Sequence, residues 1–120
     1  MPSATVRLSY RIALAFCVLA VAYLAFAPLT EPVGFSYDKF NHLFAFAVMA
    51  WLADGGWPGP RQAWARWGML LGYGLLIELV QRELPFRQFS WLDVMADAAG
   101  IAVYVAAKAL IFGRRWLPRL

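Results

Sequence analysis

Asp38, Lys39 and His42 lie within about one helical turn of each other in a chain that is otherwise mostly apolar. Further on come Glu78 and Gln81, then Arg87, Ser90, Asp93 and Asp97. These residue types support three kinds of chemistry. An imidazole titrates near neutral pH, so His42 with a partner carboxylate, Glu78 or Asp93, can act as general acid and base. Lys39 and Arg87 can hold a phosphate or carboxylate, the arginine through two parallel contacts. His42, Glu78, Asp93 and Asp97 are metal-ligand types, but no H-E-x-x-H or paired-histidine spacing accompanies them, and no metal is assigned. Ser90 as a nucleophile would need His42 beside it and reads better as a helix cap. The candidate catalytic residues are therefore His42, Glu78 and Asp93. The candidate ligand-binding set is Asp38, Lys39, His42, Glu78, Gln81, Arg87, Ser90, Asp93 and Asp97. The competing structural reading is that these charges only hold helices together.

The background explains why these charges stand out. The 120-residue chain is 62% hydrophobic and 15% charged, against about 45–50% and 25% in a soluble domain. Such a chain is expected to lie in a membrane, where a charged residue inside a span costs at least about 2.5–3.5 kcal/mol and marks a functional or internal polar site. One cysteine, Cys17, excludes an internal disulfide and any multi-cysteine metal site; it reads as a small packing residue. The net charge of +4 comes from basic residues flanking apolar runs, a topology signal rather than a nucleic-acid footprint.

Four helices are expected to position the polar residues. A basic stretch, Met1 to Arg11, precedes an apolar run from Ile12 to Ala27. Ala25-Phe26-Ala27 is also a small-x-small pattern of the kind signal peptidase cuts, but Pro28 in the next position disfavours cleavage. Pro28, Pro32 and Gly34 make a connection, and Ser36 is placed to cap a helix over Asp38–Asp54. The turn Gly55–Pro60 leads to a third helix from Pro60 or Arg61 to about Leu84, stopped by Pro85. Ser90-x-x-Asp93 has capping-box spacing and opens a fourth helix that ends at Phe112 before Gly113. Gly68 and Gly72 form a G-x-x-x-G pair, which predicts close packing of helix three, through Gly72, on the Ala96–Gly100 surface of helix four.

Residues 1–120 thus read as a single all-α domain, an integral membrane bundle of four transmembrane helices. Eight of the eleven Lys and Arg residues fall on the side of the termini and the Gly55–Pro60 turn, and Lys39, Arg82 and Arg87 on the other. The positive-inside rule then puts both termini in the cytoplasm of a multi-pass protein of the bacterial inner membrane. Trp57, Trp64, Trp67 and Trp116 fall on the inner interface, Tyr37 and Trp91 on the outer one. The start of helix two, the end of helix three and the start of helix four meet outside. Glu78 lies six residues before Leu84 and Asp97 seven past Ser90, so each is about 10 Å in from its helix end.

The order Asp38-Lys39-x-x-His42, Glu78-x-x-Gln81, Arg87-x-x-Ser90-x-x-Asp93 and Gly100 resembles the VanZ-like family of small membrane proteins, over about Phe35 to Ile111. That pattern usually has Asn where this chain has Asp97, so this chain adds a carboxylate. The family takes its name from a glycopeptide-resistance protein. The resemblance implies an envelope setting with membrane lipid as a partner and a lipid-linked precursor, a lipid headgroup or a lipophilic glycopeptide as ligand. It supplies neither a reaction nor a cofactor. A binding protein, a membrane enzyme using His42 with a carboxylate, and a structural accessory subunit all remain open at this point.

Overall fold

The computed structural model describes residues 3–27, 38–85 and 88–113. They are helical, with no strand among them: α1 (Ala4–Phe26), α2 (Asp38–Gly56), a short 3-10 turn (Pro60–Gln62), α3 (Ala63–Arg82) and α4 (Trp91–Phe112). Two of the helices, α1 and α4, are long and apolar enough to cross a membrane. The expected cap at Ser36, the connection at Pro28–Gly34, Tyr37, Arg87 and the Arg114–Arg119 tail with Trp116 lie outside the described residues.

The helix ends follow from local chemistry. Helix α1 begins at Ala4, because Ser3 caps it by accepting from the Val6 amide at 3.2 Å and no breaker follows. Arg7 and Arg11 therefore lie within the helix. Helix α3 begins after the 3-10 turn, whose Pro60 lacks an amide hydrogen to leave unpaired. Ser90 caps α4 by accepting from the Asp93 amide at 3.4 Å. Gly113 ends it with φ 90°, a backbone conformation that favours glycine, while its amide bonds Ala109 O at 2.8 Å.

Side-chain contacts fix the directions of the helices. Lys39 and His42, at the start of α2, meet Asp93 and Asp97 at the start of α4; Asp54, at the end of α2, meets Tyr104 and Lys108 near the end of α4. These two helices run parallel. Tyr73 and Gln81 of α3 donate to Val18 O (2.6 Å) and Ala25 O (2.8 Å) of α1, so α1 and α3 run together. Arg11 donates to Gly56 O at 2.8 Å, setting α1 antiparallel to α2. The result is an up-down-up-down bundle with α2 packed most extensively on α4 and then on α1.

Phe46, Met49, Ala50 and Ala53 recur at helical spacing and turn one face of α2 into the core. Ala63, Trp67 and Leu70 from α3 and Ile101 from α4 complete it. Trp67 is thus a core residue, not an interfacial one, whereas Trp57, Trp64 and Trp91 are exposed. Helix α1 has no buried residue; Leu14, Cys17, Val18 and Val21 rest against the core from outside.

Close approach comes from glycines other than the G-x-x-x-G pair. Nothing lies within 4 Å of a Cβ placed on Gly68 or Gly72, so that face of α3 does not meet α4. A Cβ on Gly100 would run into the backbone carbonyl of Leu43 on α2, and one on Gly74 would sit 2.5 Å from Asp97 Oδ2. Gly100 brings the α2 and α4 backbones together at the level of the polar residues, and Gly74 leaves room for Asp97.

Candidate functional site

The antiparallel arrangement gathers the end of α1, the start of α2, the end of α3 and the start of α4 at one end of the bundle. There, Lys39 Nζ contacts Asp93 Oδ1. The other Asp93 oxygen lies 3.6 Å from His42 Nε2. The opposite ring nitrogen, Nδ1, faces Asp97 Oδ1 at 2.9 Å. Lys39, Asp93, His42 and Asp97 therefore form one polar run from α2 into α4. Helical spacing explains it. Lys39 and His42 are three apart and Asp93 and Asp97 four apart, so each pair shares a helix face, and parallel helices set the two pairs side by side.

Glu78 enters from α3. It is 0% exposed, and its Oε2 accepts the Ser90 amide at 3.0 Å, tying the end of α3 to the start of α4. Its Oε1 is buried without a hydrogen-bond partner. One ligand atom each from His42, Glu78 and Asp93 fall within 4.8 Å of one another. Asp97 is 1% exposed, while the side chains of Lys39 and His42 keep 25% and 21% exposure. The carboxylates thus form the floor and the two nitrogen bases the rim.

The other candidates differ in what they do. Ser90 is a cap, its hydroxyl taken by the Asp93 amide. Gln81 is buried, and its side-chain amide donates to Ala25 O, pinning α1 to α3. Arg82 is exposed and pairs with Glu83 at 3.4 Å, away from the site. Asp38 is the first residue of α2, with its side chain outside the described positions, and Arg87 is among the residues not described.

A second polar cluster, which sequence reasoning missed, sits at the opposite end. Asp54, 4% exposed, receives Tyr104 Oη at 2.6 Å and Lys108 Nζ on Oδ2, and faces Arg66 Nη2 at 3.3 Å through Oδ1. Arg66 also donates to Trp57 O at 2.7 Å and Gly59 O at 2.8 Å, closing the turn after α2. Arg11 lies over the Trp57 ring, 4.6 Å from its centroid. The sequence did hold one signal: Asp93, Asp97, Gly100, Tyr104 and Lys108 continue one stripe down α4. In this cluster Asp54 answers both Arg66 and Lys108, which suits a structural pin. Protein-family models, curated proteins and solved structures contain no match to this chain.

Proposed function

We propose that this chain is a VanZ-like integral membrane protein that crosses the bacterial cytoplasmic membrane four times, with both termini inside. Its outward-facing polar end binds an envelope molecule: a lipid-linked precursor, a lipid headgroup or a lipophilic glycopeptide. The observation that carries this reading is the Lys39–Asp93–His42–Asp97 run backed by buried Glu78 at one end of the bundle. The family part of the proposal rests on the order of the Asp38, His42, Glu78, Arg87, Asp93 and Gly100 motifs alone.

The membrane part is supported by an inverted distribution of polarity. Glu78, Asp93, Asp97, Asp54 and Arg66 are buried, whereas Leu110, Met69 and Phe16 are 88%, 76% and 70% exposed. Exposed apolar surface of that extent suits lipid, not water. Helices α2 and α3, with 19 and 20 residues, reach about 28–30 Å, the thickness of the hydrocarbon layer, and Asp54, Arg66 and Glu78 on them are buried, as charges within a membrane are.

Binding is favoured over catalysis because the described residues of the cluster are bases and carboxylates, with Ser90 occupied as a cap. The His42–Asp97 pairing is the feature an enzyme would use to orient a base, so turnover is the second reading. The test is to place purified protein in nanodiscs and measure binding of a lipid-linked precursor, an anionic phospholipid and a lipoglycopeptide. Saturable binding of one probe, lost in Lys39→Ala at an unchanged unfolding temperature, is expected. Binding of none, or binding untouched by Lys39→Ala, contradicts the proposal; conversion of the bound probe moves the protein to the enzyme reading.

A further inference from the structure

Glu78 Oε1 is shut away from water and accepts no hydrogen bond, although its carboxylate stands beside His42 and Asp93. A buried acceptor left in this way is destabilising unless something positive answers it. The histidine points to what that is. His42 Nδ1 lies 2.9 Å from Asp97 Oδ1, and Nε2, on the other side of the ring, lies 3.6 Å from Asp93 Oδ2. One imidazole nitrogen and one oxygen from each of two carboxylates lie within 4.8 Å of one another, and Asp97 stands behind the histidine as carboxylates do in metal centres.

Among the described residues of the site, three carboxyl groups, Glu78, Asp93 and Asp97, stand against one ammonium, Lys39, a set rich in oxygen donors for a cation. One nitrogen and two carboxylate donors suit zinc or manganese; calcium prefers six to eight oxygens.

We propose that His42, Glu78 and Asp93 bind one divalent first-row cation, with Asp97 as the positioning residue behind His42. Three protein ligands leave a coordination position open for water or for an anionic oxygen of a ligand. This deepens the outward-pocket reading and rests on it for the identity of that ligand, but the cation site itself is testable alone.

The experiment titrates zinc chloride and manganese chloride into chelator-stripped, detergent-solubilised protein and counts bound metal by elemental analysis. One ion per chain is expected on the wild type, with an unfolding temperature that rises on loading and falls again with EDTA. His42→Ala and Glu78→Gln should each weaken binding about 100-fold or more, and Asp97→Ala about 10- to 100-fold, the range typical of a lost partner behind a ligand. Asp97→Asn should recover most of that loss, because its amide oxygen still accepts from Nδ1. No saturable ion on the wild type overturns the proposal, as does an affinity unchanged in both His42→Ala and Glu78→Gln. A protein that loads metal but binds no envelope probe keeps the cation site and removes the binding function; metal-free protein that binds a probe does the reverse.

Discussion

His42 Nδ1 lies 2.9 Å from Asp97 Oδ1, and Asp97 is almost fully enclosed at 1% exposure. The rim of the site is thus anchored to its floor by one hydrogen bond between α2 and α4, in a place where the lack of a side chain at Gly74 on α3 leaves room for Asp97.

That bond sets the first prediction. Asn at position 97 keeps the shape and the accepting oxygen. Asp97→Asn should fold and stay functional, with stability within about 1.5 kcal/mol of wild type. Asp97→Ala removes the buried oxygen that faces His42 and should cost about 1–3 kcal/mol. Thermal unfolding in detergent, alongside the envelope phenotype, separates the two. Equal losses in both variants would show that the hydrogen bond is not what position 97 supplies.

Packing gives the second. Gly100→Ala places a methyl group against the Leu43 carbonyl, and helix backbones do not yield cheaply; overpacking of this kind costs about 1–3 kcal/mol. Gly72→Ala has open space around it and should leave the unfolding temperature unchanged. Equal stability of the two proteins would remove the close α2–α4 approach from the account.

Much of this arrangement was legible in the sequence, for identifiable reasons. Charges in an apolar background are conspicuous, so Lys39, His42, Glu78, Asp93 and Asp97 could be picked out and, by helix parity, assigned to one end. The Ser90 cap and the Gly113 stop carry local chemistry and needed no tertiary information. Gly72 did mislead, because G-x-x-x-G spacing shows that a helix has a smooth face but not which way that face is turned; Gly74, two residues on, faces the site instead. The apolar run Ile12–Ala27 showed that a helix was there but not where it starts, which Ser3 decides as its cap. Asp54 joins Arg66, Tyr104 and Lys108 only through tertiary contact, and no short-range pattern announces that.

The Asp54 cluster supplies the third prediction. Asp54→Ala leaves Arg66 buried without its carboxylate, a change that costs about 3–5 kcal/mol. Tyr104→Phe removes one hydrogen bond and should cost about 1 kcal/mol. Both should lower stability without altering ligand binding by the protein that remains folded, because the cluster is at the far end of the bundle. Loss of binding in fully folded Tyr104→Phe would mean that the two ends are coupled.

The claim on which the proposed function depends is that the end bearing Lys39, His42, Glu78, Asp93 and Asp97 faces out of the cell. Gln88 and Arg61 are both exposed and lie in connections at opposite ends of the bundle. In a background with Cys17→Ser, Gln88→Cys and Arg61→Cys can each be treated in intact cells, stripped of any outer membrane, with a maleimide that cannot cross the bilayer. Labelling of Gln88→Cys, with Arg61→Cys reacting only after the membrane is permeabilised, is the result expected. Labelling of Arg61→Cys with Gln88→Cys protected would turn the site toward the cytoplasm and contradict the account.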